Sequence, residues 1–501
     1  MRPDEIYPFI LFKTKHKNHY YFNVLTNTLI PLHPLLFLIL DLNQQGVDVL
    51  QWYNSAKHKE IELDGTKFNQ KDLAYYIDRF TILQKGDLLN KVSVSDLFCV
   101  NLSEDDIRTQ FSNVSTVAFE VTESCNLKCD YCIYGELYNH YSERQNNKLS
   151  IDDGRAFMNF LINAWNSNYN FSKGNVVRIS FYGGEPLMNM EFIEEMVDYV
   201  GSKKKTVRNL RFAFGITTNG TLLEKYMDFL VRHDFYLTIS LDGDKNSNKH
   251  RRFNNGKPSY QNVNNNILNL KEKHPSYFKK RVSFNSVLTS ASTYPDIKSF
   301  FKTQFNCDTH ITELNPLAKK KSIKDIYRSI LDDNNVRDAF CLEEFNELSE
   351  TKYIRDFNFN LNGQKFSTYN HLFTDLRNAR RIPTGTCLPF SKRVFITAHG
   401  LILPCETIPH HHPLGKISNG NVDISFPEIA KKYNSLLRNI LPQCSTCYQF
   451  SNCNVCYLLN INGKKACPNY RSRKNFTSYF KDQIEYFEDR PLLFKDLSKS
   501  Y

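Results

Sequence analysis

The placement of cysteine constrains this chain more than any other feature. Ten of its thirteen cysteines fall in two tight groups, three between 125 and 132 and seven between 387 and 467. Cys99, Cys307 and Cys341 stand apart. Disulfides do not require such grouping and do not suit a reducing cytosol. Metal or cluster ligation does require it, because several thiolates must converge on one small site.

The other global features place the chain in a class. With 41% hydrophobic and 23% charged residues it reads as a soluble globular protein. Its 501 residues suit about three domains. The most apolar run, residues 30–40, is broken by His33 and falls short of the roughly 20 residues a spanning helix needs. The first residues lack an apolar stretch ending in a small-residue cleavage site. A cytoplasmic location and no membrane partner are the expectation. The net charge of +11 (64 Lys and Arg against 53 Asp and Glu) is scattered in runs such as Lys203 to Lys205. That pattern reads as a solvated face, with an acidic partner steered from a distance as the alternative. Without an arginine-and-aromatic motif, nucleic acid is not expected.

Along the chain, residues 1–105 read as a small α+β unit. Tyr7 to Lys13 and His19 to Asn23 form a hairpin pattern around the turn KHKN, and Leu73, Tyr76, Ile77 and Phe80 have helical spacing. From Val117 strand and helix patterns alternate. Strands are expected at 117–121, 177–181, 212–217, 236–241, 281–288 and 309–313, and a helix follows the N-cap candidate Ser150. Six strands with helix-length crossovers predict an α/β fold, a partial (β/α)6 TIM-like barrel over 112–317. Such barrels carry their chemistry at the C-terminal ends of the strands. Residues 318–386 read as a helical connector, 387–470 as a loop-rich domain, and 471–501 as a closing helix.

The first cysteine group, Cys125, Cys129 and Cys132, follows directly on the strand ending at Val121. Three thiolates can wrap one [4Fe–4S] cluster and leave its fourth iron open. A zinc loop is the alternative, but a closed zinc site wants a fourth ligand, and His140, the nearest candidate, reads as a surface residue. The spacing, with Tyr131 before the last cysteine, resembles the signature of the radical S-adenosylmethionine (SAM) superfamily. Phe181-Tyr-Gly183-Gly184-Glu185-Pro186 resembles that family's GGEP motif, and Ser240-Leu-Asp242-Gly243 its SLDG motif. The resemblance implies that the open iron chelates SAM and that Tyr131 belongs to the cofactor site. It implies that Gly183 to Pro186 bind the SAM amino group, and that Ser240 and Asp242 contact its ribose and methionine ends. Arg252 stands where many relatives have an arginine paired with the SAM carboxylate. The His-Asp pair common upstream of it is here Asn248-Lys249, and Arg251 is the adjacent alternative. Thr217 to Gly220, by itself, is a strand-to-helix turn.

The second group resembles the SPASM extension, which in radical SAM relatives holds two auxiliary [4Fe–4S] clusters. That resemblance implies a distal cluster on Cys444, Cys447, Cys453 and Cys467, and a nearer one on Cys387, Cys405 and Cys456. No cysteine precedes Cys387 closely, so the nearer cluster has an open iron or a distant ligand, with Cys341 and Cys99 as candidates. A zinc ribbon accounts for four of these cysteines and leaves the rest unexplained.

A small α+β unit ahead of such a body resembles the leader-recognition modules of peptide maturases, which bind a peptide as an added strand. The alternative is that it only packs on the barrel or forms a dimer surface. The implied function is a radical SAM maturase of ribosomally made (RiPP) precursor peptides, installing a thioether or carbon–carbon crosslink. A flavodoxin or ferredoxin would supply its electrons. A sulfatase-type maturase forming formylglycine is the alternative within the same chemistry. A non-catalytic zinc or nucleic-acid-binding protein is the alternative from another class.

Overall fold

A computed structural model describes residues 5–55, 60–86, 89–94, 98, 100–132, 134–135, 145–171, 175–207, 210–312, 382–460, 467 and 469–491. Cys99, His140, Cys341 and all but the end of the expected connector lie outside the described residues. The chain divides into two compact units, each discontinuous in sequence. One comprises the described residues within 1–101, 349–386 and 434–501, the other those within 102–348 and 387–433.

The second of these units is built on a ten-stranded sheet. Its strands are β1 (Thr116–Thr122), β2 (Val176–Gly183), β3 (Arg211–Thr218), β4 (Tyr236–Ser240), β5 (Val282–Val287) and β6 (Thr309–Thr312), then β7 (Arg393–Ile396), β8 (Leu401–Leu403), β9 (Gly415–Ser418) and β10 (Asn421–Asp423). The first six lie side by side in sequence order and every pair is parallel. This is the expected partial (β/α)6 barrel, with helices as crossovers. Strand β1 is buried on both faces, with Val117, Phe119 and Val121 fully enclosed. That is the pattern of a parallel strand covered on each side.

The crossover helix α1 (Ile151–Trp165) begins where Ser150 caps it, the Ser150 hydroxyl accepting from Asp153 N at 3.0 Å. Gly154, in its first turn, lets the next helix approach. A Cβ there would meet Phe192 Cζ at 2.7 Å.

Strand β7 is the main surprise. It pairs parallel with β1, in the register Arg393↔Thr116 to Ile396↔Phe119, and β8 to β10 continue the sheet antiparallel. The segment expected to be loop-rich therefore carries four strands and a 19-residue helix, Phe426–Cys444. The strands are only three or four residues long, too short for alternation to declare them.

The other unit contains a three-stranded antiparallel sheet of Phe9–Lys13, His19–Asn23 and Thr28–Leu32. The expected hairpin forms; its third strand, which holds Pro31, was not anticipated. Alternate residues serve opposite faces. Phe9 joins Leu35, Ile39, Leu73, Ile77 and Phe80 beneath the helices Pro34–Gln44 and Gln70–Lys85. Phe12 and Phe22 pack with Phe476 and Phe480 of the closing helix Arg473–Glu488. No helix among the described residues is long and apolar enough to cross a membrane.

Candidate active site

The C-terminal ends of β1 to β5 gather the first cysteine group and both glycine-bearing motifs. After β1 the chain turns into the cysteine loop, which is paired along its length with residues 250–254. Lys128 N donates to Arg252 O at 2.8 Å, Asp130 N to His250 O at 3.1 Å, and Asn254 N to Asn126 O at 3.2 Å. Asn254 Nδ2 adds a bond to Cys125 O at 3.0 Å. The loop thus behaves as a short ribbon on its partner segment.

The Gly183-Gly184 step is required by close approach. Gly184 N donates to Thr122 O and Glu185 N to Ser124 O, each at 2.8 Å. A Cβ on Gly184 would lie 2.3 Å from Ser124 O and 2.5 Å from Glu123 O. Two backbones meet there with no room for a side chain. Pro186 opens the 3-10 turn Pro186–Asn189 that follows.

Glu185 is fully buried and spends its carboxylate on the protein itself. Oε1 accepts from Thr218 Oγ1 at 2.6 Å and Leu187 N at 3.1 Å, and Oε2 from Asn219 N at 2.7 Å. It brackets the end of β2 to the end of β3. Loss of solvation lifts its carboxyl to about 7, against the lowering effect of those three bonds.

The Thr217 to Gly220 turn is more than a connector. Asn219 Nδ2 donates to Asn126 Oδ1 at 2.9 Å and reaches Cys125 Sγ at 3.7 Å, while Asn126 Nδ2 donates to Thr221 Oγ1 at 2.8 Å. Sequence reasoning read Asn219 only as part of a turn and passed over Asn126 and Thr221, because isolated amides and hydroxyls carry no spacing signal.

Asp242, also fully buried, accepts from Arg251 twice (Nε to Oδ2 and Nη2 to Oδ1, each 3.0 Å). It further accepts from Val287 N at 3.0 Å and from the Tyr131 hydroxyl. The Arg251 guanidinium lies 5.4 Å from the centre of the Tyr131 ring. Ser240 ends β4, paired with Asn285 of β5. Arg252 is exposed, its Nε donating to Lys249 O at 3.0 Å.

A further polar group was not foreseen. Glu123 accepts from Gln145 N, Asn147 N and Asn147 Nδ2, and pairs with His399 Nε2 at 2.7 Å. Burial opposes its charge, yet these bonds outweigh it and hold the carboxyl below the usual range. His399 sits in the turn between β7 and β8, so only the unexpected strands bring it here.

The first group puts three thiols on one short loop, the donor type an iron–sulfur cluster takes, but among the described residues no three Cys, His, Asp or Glu side chains are gathered as a metal site. Loss of solvation pushes the Cys129 thiol up to about 12, the charge of Arg251 opposes this, and Cys132 and Cys125 add to it. As thiolates on one short loop these sulfurs would repel unless a cation compensated them, which iron would do.

In the other unit Cys444, Cys447, Cys453 and Cys467 line one small pocket with Gln443, Phe450 and Tyr470. Burial raises the thiols of Cys444, Cys447 and Cys453, and the latter stands at about 11. Cys456 belongs to this unit, whereas Cys387 and Cys405 belong to the barrel unit, with Cys405 Sγ 3.1 Å from Thr407 Oγ1. No described cysteine is in a disulfide.

Comparison with known proteins agrees with the site. Residues 119–302 match the Radical SAM superfamily. A cysteine-type anaerobic sulfatase-maturating enzyme of Clostridium novyi is 30% identical over 200 residues, 38% of this chain and 49% of that enzyme. This chain thus spans about half the length of that relative. The antilisterial bacteriocin subtilosin biosynthesis protein AlbA of Bacillus subtilis is 22% identical over 89% of this chain and 90% of its own length. The solved structure of native anSMEcpe with bound AdoMet and Cp18Cys peptide covers 77% of this chain and 99% of that one. Its TM-score of 0.50 at 20% identity establishes a shared fold.

Proposed function

We propose that this chain is a radical SAM peptide maturase that crosslinks a ribosomally made precursor, through a thioether or a carbon–carbon bond. The observation that carries the reading is the convergence of the cysteine loop, Gly183 to Glu185 and Asp242 at the ends of adjacent parallel strands. When bound, a [4Fe–4S] cluster with SAM supplies a 5′-deoxyadenosyl radical that removes a hydrogen atom from the peptide. In this reading Cys125, Cys129 and Cys132 hold three irons. The backbone of Gly183 and Gly184 receives the SAM amino group, Tyr131 and Ser240 flank the cofactor, and exposed Arg252 takes its carboxylate. Glu185 and Asp242 have their oxygens engaged within the protein, so they shape the cradle from behind.

The same reading assigns a distal auxiliary cluster to Cys444, Cys447, Cys453 and Cys467, and a second to Cys387, Cys405 and Cys456. The similarity to the subtilosin biosynthesis protein over most of the chain favours a peptide substrate. The sheet of residues 9–32 offers a docking edge for its leader. The outer strand Thr28–Leu32 is mostly exposed, with Ile30 at 43%, and an incoming strand could bond along it. We place the enzyme in the cytoplasm, supplied by a flavodoxin or ferredoxin, with no nucleic-acid partner.

The match to sulfatase-maturating enzymes favours a second reading, formation of formylglycine. Mass spectrometry of the treated peptide separates them, because a crosslink removes two hydrogens whereas formylglycine formation from cysteine removes the sulfur. The test of the whole reading is anaerobic reconstitution. About twelve irons per chain are expected, falling by about four in the Cys125→Ala, Cys129→Ala, Cys132→Ala triple variant, which should form no deoxyadenosine. A colourless zinc protein would overturn it.

A further inference from the structure

Two adjacent arginines, alike in sequence, occupy opposite environments. Arg251 is 8% exposed and Arg252 is exposed. Arg251 has extended backbone, φ −100° and ψ 100°, so its neighbour's side chain leaves on the other side. Inside, Arg251 meets a carboxylate whose surroundings are otherwise complete. Asp242 takes both arms of the guanidinium fork, the amide of Val287 and the hydroxyl of Tyr131. The backbone around the pair is also tied. Asp242 N donates to Asn248 Oδ1 at 3.2 Å, and Ser259 Oγ donates to Arg251 O at 2.8 Å. Asn248 thus holds the Asp242 backbone with a neutral amide.

We propose that Arg251 is a positioning residue, the internal counter-ion of Asp242, and that through the Asp242–Tyr131 bond it sets the conformation of the cysteine loop. Tyr131 lies between Cys129 and Cys132, so the ring it fixes fixes the spacing of two sulfurs. Residues 250, 252 and 254 pair with the loop by their backbone, so the same pair anchors both sides of the ribbon. Arg251 is then unavailable to the cofactor, and the outward charge is that of Arg252. A fork of two parallel bonds makes this an arginine's task, since a lysine ammonium is a single point charge.

The inference rests on reading Cys125, Cys129 and Cys132 as cluster ligands, and its test is arranged so the two can fail separately. In reconstituted Arg251→Met, iron should fall from about twelve to about eight per chain, the first cluster alone being lost. Adding Asp242→Asn removes the stranded charge, keeps Oδ1 as the acceptor for Val287 N and lets the new amide nitrogen donate to the Tyr131 hydroxyl oxygen, so the double variant should regain the iron. Arg251→Lys should regain part of it. Arg252→Met should keep all the iron but bind SAM at least about tenfold more weakly, read from the SAM-induced change in the reduced cluster's EPR spectrum. Full iron in Arg251→Met with loss of that SAM-induced change would overturn the proposal, making Arg251 a cofactor contact. So would failure of Asp242→Asn to rescue. In metal-free protein, the amides of Lys128 and Asp130 should exchange at least about tenfold faster in Arg251→Met than in wild type. That readout stands even if the wild type proves to bind no iron, and unchanged exchange would sink the clamp by itself.

Discussion

The two cysteine loops that the structure describes face the same problem and are held by opposite means. Residues 123–132 are surrounded by buried polar groups. Glu123, Glu185, Asn219, Asp242 and Arg251 each engage partners at the strand ends. Residues 444–456 are held mainly by packing. Tyr448 and Phe450, from the stretch between Cys447 and Cys453, enter a core with Phe12, Phe22, Phe98, Phe476 and Phe480. Polar contacts add to this, among them the Tyr448 hydroxyl on Tyr7 O at 3.2 Å, Asn452 Nδ2 on Asn27 Oδ1 at 3.1 Å and Arg471 Nε on Gln449 Oε1 at 2.6 Å. A hydrogen-bonded cradle defines angles and leaves space for a ligand. An apolar anchor supplies stability without direction. The first suits a site that must orient a cofactor, the second one that need only stay closed.

The comparison can be broken most forcefully at Phe450. Phe450→Ala should cost on the order of 3–5 kcal/mol by opening a cavity in that core. Faster hydrogen exchange is expected at residues 9–24 as well as at 447–453, because they share one core. Exchange confined to the cysteine loop would show that the two parts are independent.

A pH series probes the polar site. Glu185 has its carboxyl raised from 4.5 to about 7 by burial, so the folded state favours the proton. Its contribution is therefore fully present below about 4.5 and is lost as pH rises through 7. The unfolding midpoint of metal-free protein should fall across that window by an amount worth about 1–3 kcal/mol. Glu185→Gln, neutral throughout, should flatten the fall, and an equal slope in both proteins would remove Glu185 as its source.

The smallest expected effect is at Asn219. Asn219→Ala strands Asn126 and should cost about 1–2 kcal/mol. Within the reconstituted protein it should disturb the first cluster's spectrum and leave the auxiliary clusters unchanged. A change confined to the auxiliary signals would contradict the placement of Asn219 against Cys125.

Much of this was legible in the residues. Strands β1 to β6 fall within two residues of where apolar, β-branched runs placed them; β1 is buried on both faces, whereas β2, β4 and β5 show buried residues in alternation. Ser150 announced α1 because its cap is a local bond. Strands β7 to β10 were not legible, for they are short, and β7, on which the other three build, is held by a partner more than 270 residues away, as in Arg393 against Thr116. Glu123 and His399 form a pair by the same route and could not be matched from sequence.

The two cysteine groups, their spacing and their following motifs were determined by the sequence, because ligands for one cluster must lie close along a loop. Only the tertiary structure decided which carboxylates turn inward and which arginine meets them. Glu185 and Asp242 look like ligand contacts in a motif, yet each is fully buried and satisfied by the protein. Arg251 and Arg252 are equivalent as letters. One step of extended backbone puts the first against a buried carboxylate and the second in solvent, and burial, which depends on everything packed around a residue, is not a local property.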